Sequence, residues 1–164
     1  MKNLFFITMI GFFTFLSCRG EEESVQRIDQ VINLYIDSLG QDMLNTKIPG
    51  SYSSSSMNDV YGLTDNSPIS LSIKKDADTV SYIEYIAGAK RIGIDSVGTS
   101  KTYESKVALK LTKKVNDLSK ITNDTMTIQY LSTPDLFQVS KIWYNGVIQF
   151  TKVEGQPNTV KIVK

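Results

Sequence analysis

Four regimes of hydrophobic and polar spacing follow one another along the chain. Leu4 to Leu16 is an almost unbroken apolar run. From Ser24 onward, Val25, Ile28, Ile32, Tyr35, Leu39 and Met43 recur every three or four residues, with Asp29, Asn33, Asp37 and Asp42 mainly between them. That spacing predicts one amphipathic helix, N-capped by Ser24 and ending between Gly40 and Asn45. No period is sustained from 49 to 68, where Pro49-Gly50-Ser51-Tyr52-Ser53-Ser54-Ser55-Ser56 predicts a flexible Ser-rich loop pinned at Met57, Val60, Tyr61 and Leu63. From Ile69 onward the period is two.

In this last regime Ile69-Ser70-Leu71-Ser72-Ile73 alternates, Lys74 to Asp78 turns the chain, and Thr79 to Ala87 reads as a strand. Gly88 and Gly93 then mark a bend or bulge in a strand-like stretch ending at Asp95. Tyr103, Ser105, Val107, Leu109 and Leu111 form one face of the next strand, with Glu104, Lys106 and Lys110 on the other. Met126, Ile128 and Tyr130 mark another, closed by Thr133-Pro134-Asp135. Asn145-Gly146 predicts a type I′ hairpin turn, because both residues tolerate positive φ. The turn sets Tyr144 opposite Val147, Trp143 opposite Ile148 and Lys141 opposite Phe150, and places Phe137, Val139, Trp143, Ile148 and Phe150 on the core side. Gly155 to Asn158 turns again into a last strand, Thr159 to Val163. The expected fold is α+β: an N-terminal helix packed on an antiparallel meander of about six strands. In element order alone this resembles cystatin-like and nuclear-transport-factor-like domains, a likeness that transfers no function.

The first regime is not part of that domain. Met1-Lys2-Asn3 is a short positive start, and the apolar run behind it holds five of the seven phenylalanines. At about 13 residues the run is too short to span a bilayer but suits the core of an export signal. It ends in Phe15-Leu16-Ser17-Cys18, which resembles the lipobox of bacterial lipoproteins cleaved by signal peptidase II. In that family a small residue precedes a Cys that is lipidated and becomes the first residue of the mature chain. Leu usually stands three residues before the Cys, whereas here Phe15 holds that place and Leu16 the next. The resemblance implies a signal peptide at 1–17, a lipidated tether at 18–23, a single domain at 24–164, and attachment to the membrane through two or three acyl chains on Cys18. Arg19, not Asp, follows the Cys, which in the family favours the outer membrane. The acidic run Glu21-Glu22-Glu23 looks like the signals that carry some Gram-negative lipoproteins to the cell surface.

Composition narrows the chemistry. The chain has no histidine and one cysteine, which removes Ser-His-Asp and Cys-His catalysis, histidine-ligated metals and internal disulfides. A net charge of +1 argues against a nucleic-acid partner. The charge is nonetheless divided: residues 18–66 carry 3 positive and 8 negative side chains, and residues 67–164 carry 14 and 9.

Remaining candidates are few. Gly88-Ala89-Lys90-Arg91-Ile92-Gly93 lacks the Lys-Ser or Lys-Thr of a phosphate loop, and Asp76-Ala77-Asp78 lacks the further ligands of a cation site, so the expectation is no metal and no cofactor. Asn123-Asp124-Thr125 matches a glycosylation sequon, which carries little meaning in a bacterial chain. Glu84, among Val80, Tyr82 and Ile86, is the one carboxylate placed to have a raised pKa. Tyr82, Tyr85, Tyr130 and Tyr144 are the candidates for an aromatic binding face. The expected function is a non-enzymatic, membrane-anchored envelope lipoprotein that binds a protein or a glycan. The alternatives are an inhibitor or immunity lipoprotein that blocks a toxin, a small pocket-containing ligand carrier, and a carboxylate-based enzyme.

Overall fold

A computed structural model of the chain describes residues 25–116 and 118–164. They form β1 (Arg27–Asp29), β2 (Val31–Ser38), β3 (Gln41–Asp42), β4 (Ser54–Asp59), β5 (Pro68–Ile69), β6 (Ser72–Lys75), β7 (Ser81–Ile86), β8 (Ile92–Val97), β9 (Ser100–Val115), β10 (Leu118–Ser132), β11 (Leu136–Tyr144), β12 (Val147–Thr151) and β13 (Asn158–Val163). No helix occurs among the described residues. The fold is therefore all-β, and the expected α+β architecture, with its cystatin-like outline, is overturned.

The strands make two sheets. The larger, of eight strands, runs β1-β11-β10-β9-β4-β5, with β8 continuing beside β9 past β4, and β12 beside β11 past β1. The smaller, of five, runs β13-β2-β7-β6 with β3 on the end of β2. It is not a simple antiparallel meander, because β1 runs parallel to β11 and β13 parallel to β2. The chain crosses from sheet to sheet five times: at Gln30, over residues 43–53, at residues 70–71, over residues 87–91 and over residues 152–157.

Alternation explains the core. Ile32, Leu34 and Ile36 of β2, Ile83 and Tyr85 of β7, and Val160 and Ile162 of β13 are buried in one cluster with residues of the larger sheet. Those partners are Met57 of β4, Val107, Leu109 and Leu111 of β9, Met126, Ile128 and Tyr130 of β10, and Val139 and Ile142 of β11. Residues two apart on a strand share a face, so each strand delivers an apolar row to the same interior. Full burial of an aliphatic or aromatic side chain of this size stabilises by about 1.5–3 kcal/mol.

The helix expectation failed for a specific reason. Ile28, Ile32 and Ile36 lie four apart, a spacing shared by helical and strand periods, and Leu34 between the last two fits only the strand. β2 is flanked by β13 on one side and β7 on the other, so its backbone groups are satisfied by the ladder instead of by a helix. Leu39, a core position in the helical reading, is 99% exposed. With φ of 54° at Leu39 and 80° at Gly40, this pair is the turn between β2 and β3.

The expected loop at 49–68 contains β4, which is bonded to β9 from Ser54–Thr112 to Asp59–Val107. The expected strand at 69–73 is divided between β5 in one sheet and β6 in the other. The Asn145-Gly146 turn is as expected, with φ of 48° and 81° and with Trp143 opposite Ile148. Beyond it the register shifts by one, so that Ile142, not Lys141, faces Phe150. A second irregularity between Gln129 and Tyr130 leaves Ser140 as the extra residue of β11. The two bulges change the expected faces in part: Phe137, Val139 and Phe150 pack on the core side as expected, but Ile142 and Tyr144 turn inward in place of Trp143, and Ile148 is exposed.

Candidate functional site

Cys18 and Glu21-Glu22-Glu23 lie outside the described residues. The four expected face tyrosines are all described, and they do not form one face. Tyr85, Tyr130 and Tyr144 are buried, and only Tyr82 reaches the surface in part.

Tyr85 and Tyr130 belong to a polar knot at the crossing of residues 87–91. The Tyr85 hydroxyl accepts the Ala89 N–H at 2.9 Å, and the Tyr130 hydroxyl is 2.8 Å from Ser105 Oγ. The Arg91 guanidinium lies 5.0 Å from the Tyr130 ring centre and 4.7 Å from that of Phe137. Its Nη2 donates to Gln30 Oε1 at 2.7 Å and to the Ala87 carbonyl at 2.6 Å, so one side chain pins two crossings between the sheets. Burial pushes the Tyr85 phenol up to about 12, and burial also raises Tyr130. Both stay neutral at physiological pH and act as structural hydrogen-bonding groups. Tyr144 is held at another point, where its hydroxyl donates to Asp124 Oδ2 at 2.7 Å.

An open groove of about 730 Å³ lies beside residues 67–72, which strap the edge of the larger sheet to the edge of the smaller one. Its polar lining includes Asp59, Glu84 and Lys90, and its apolar lining includes Leu63, Leu71 and Ile86. Both carboxylates are already engaged. Asp59 is buried, with Oδ1 accepting the Tyr61 N–H at 2.9 Å and Oδ2 the Lys90 N–H at 2.6 Å. Glu84 pairs with Lys74 at 2.7 Å on the outer side of the smaller sheet. A second groove of about 550 Å³ lies across Leu71 and is lined by Tyr52, Ser55, Ile73 and Lys75. The space between the sheets is filled by the core, so both grooves open to solvent beside it.

One surface feature lies outside the sequence expectations, and a second extends them. Tyr82 stacks on Tyr35, with ring centres 5.2 Å apart and planes at 28°. Tyr35 lies in the segment whose spacing predicts a helix, and that expectation conceals the pair. The second feature is the outer face of the larger sheet, where Lys106, Lys110 and Lys114 of β9 project opposite to the buried Val107, Leu109 and Leu111. Their spacing of four was legible once β9 was read as a strand.

The turn at Asp76-Ala77-Asp78 is built as expected: Asp76 Oδ1 accepts the N–H groups of Asp78 at 3.0 Å and Val80 at 2.9 Å. No cluster of three or more possible metal-ligating side chains occurs among the described residues. Comparison with known proteins finds no matching family model, no similar curated protein and no similar solved structure.

Proposed function

We propose that the chain is a lipid-anchored lipoprotein of the bacterial outer membrane whose all-β domain is a non-catalytic binding module. The observation that carries this reading is the apolar run from Leu4 to Leu16 ending in Phe15-Leu16-Ser17-Cys18, with the chain's single thiol at the lipobox position. A thiolate is the nucleophile suited to a thioether with a diacylglyceryl group, and several acyl chains together hold a protein durably where one does not.

The geometry of the domain suits suspension from its N-terminal end. The Gln26 side chain donates to the Thr133 carbonyl at 2.7 Å and the Arg27 N–H to the Asp135 carbonyl at 2.9 Å, so the chain enters at one end of the larger sheet. From Cys18 to Val25 the backbone spans at most about 25 Å. A lipid on Cys18 would keep residues 133–135 near the membrane. The far end of β9 would then lie up to about 50 Å further out, the length of β9 at the usual strand rise. The binding reading draws on the grooves and open sheet faces, and the prior engagement of Asp59 and Glu84 argues for recognition over acid–base chemistry.

Cys18→Ala tests the anchor. The variant is expected to lose incorporation of radiolabelled palmitate and to move from the membrane to the soluble fraction. Unchanged labelling and unchanged membrane retention would overturn the proposal.

A further inference from the structure

The outer face of the eight-stranded sheet carries a row of cations that form no ion pair with an acid among the described residues. Lys106, Lys110 and Lys114 stand four residues apart along β9, about 13 Å between successive side chains at the usual strand rise. The ion pairs found among the described residues are Lys74–Glu84, Lys152–Asp29 and Lys164–Asp124, and none involves this row. Glu104, the acid in line with the row, accepts the Tyr61 hydroxyl at 2.7 Å.

The neighbours of the row are small and polar. Across β4, Ser56 faces Lys110 and Ser54 faces Thr112. Across β10, Thr127 faces Lys106, Asn123 faces Lys110 and Ser119 faces Lys114. One strand further, Trp143 faces Thr127 and so ends the row that Lys106 begins. Trp143 is partly exposed there.

We propose that this face docks an anionic polysaccharide. Cations in a single line match a linear polymer with charge repeated along it, and the hydroxyl and amide side chains on both sides can exchange hydrogen bonds with sugar hydroxyls. Trp143 offers a ring against which a sugar can pack. Protein interfaces are depleted in Lys and Ser at their centres, which makes a protein partner a poorer fit to this face. Membrane docking calls for an apolar surface, and here Ala108 and Ile121 are the apolar members between the lysines. A single-stranded nucleic acid is held by successive aromatic rings beside the cations, and this face sets Trp143 alone in line with Lys106. The inference specifies the partner of the proposed binding module and is independent of the anchor.

The test uses the full chain, purified in non-ionic detergent, and affinity electrophoresis through gels containing polygalacturonate or neutral dextran. Retardation by polygalacturonate and not by dextran is expected, weakening as salt is raised. The triple variant Lys106→Gln, Lys110→Gln, Lys114→Gln is expected to bind about tenfold more weakly, with a shallower salt dependence. A control that removes equal charge elsewhere, Arg27→Gln, Lys120→Gln, Lys161→Gln, and leaves the buried Lys152 in place, is expected to stay within about twofold of the unmodified chain. Equal losses in the two triples, or no retardation of the unmodified chain, would overturn the proposal. So would tighter binding to single-stranded DNA or to phosphatidylglycerol vesicles than to polygalacturonate at matched charge. Because the measurement is made in detergent, failure of lipidation would leave it unaffected.

Discussion

Replacing Asp124 by Ala is expected to destabilise the fold by about 3–5 kcal/mol, the range for removing one member of a buried charge network. Asp124 is 5% exposed and accepts from three sources: the Tyr144 hydroxyl at 2.7 Å, the Asn145 side-chain amide at 2.7 Å, and the Lys164 ammonium. These come from the end of β11, from the β11–β12 turn and from the end of β13, so one carboxylate joins parts of both sheets. Its removal leaves the buried Tyr144 phenol without its acceptor and frees the exposed Asn145 amide and Lys164 ammonium, and a buried orphan costs more than the net worth of the bond it loses. Urea denaturation followed by the fluorescence of the single tryptophan, Trp143, measures the loss. A midpoint equal to that of the unmodified chain would contradict the assignment.

The same carboxylate predicts a pH dependence. Burial alone would raise the Asp124 carboxyl, but hydrogen bonds from Asn145, Lys164 and Tyr144, together with the Lys164 charge, outweigh it and hold the group below its ordinary value of 3.8. A depressed folded-state pKa contributes stability that is complete above the ordinary value and is lost as pH falls through the lower folded value. The acid limb of stability against pH should therefore flatten in Asp124→Ala. At the alkaline end the sign reverses: Tyr85, raised by burial to about 12, and Tyr144, raised by burial and by Asp124, favour the folded state below pH 10 and cost it stability above.

Lys152→Met is expected to cost about 2–3 kcal/mol by undoing the clasp at the other end of β13, because it leaves buried polar groups unpaired. The Lys152 side chain is 8% exposed, and its Nζ donates to Asp29 Oδ2 at 2.5 Å, to the Gln156 carbonyl at 2.7 Å and to Asn158 Oδ1 at 2.9 Å. Asn158 in turn donates to Asp29 Oδ1 at 2.8 Å and to the Val31 carbonyl at 2.9 Å. The cluster locks two crossings between the sheets, one at Gln30 and the other at residues 152–157. Asp29→Leu combined with Lys152→Met should recover part of the loss, since a buried pair replaced by apolar groups costs less than a pair half removed. Additive effects in this double-mutant cycle would contradict the coupling.

The parts of the fold that could be read from sequence are those where alternation is long and undisturbed. Tyr103 to Leu111 places Ser105, Val107, Leu109 and Leu111 inward as expected, and Asn145-Gly146 gives its turn. Alternation also held the answer for two tyrosines: Tyr85 shares parity with Ile83, and Tyr130 with Met126 and Ile128, so both belonged to the core. Tyr144 was less accessible, because the bulge at Ser140 changes parity within β11. The helix error came from residues four apart, where two periods coincide. β4 was missed because Ser54, Ser55 and Ser56 lend a strand no apolar row, its place being set by pairing with β9. The lysine row on β9 was visible as positions of one parity, yet its meaning depended on neighbours from β4, β10 and β11 that only the sheet brings beside it.

In the proposed arrangement a two-sheet domain hangs from a lipidated Cys18. Mass spectrometry of the N-terminal fragment from membrane-extracted protein tests it most directly. The expected fragment begins at Cys18 and carries a thioether-linked diacylglyceryl group. A fragment that retains the apolar run from Leu4 to Leu16, or one with a free thiol at Cys18, would contradict it.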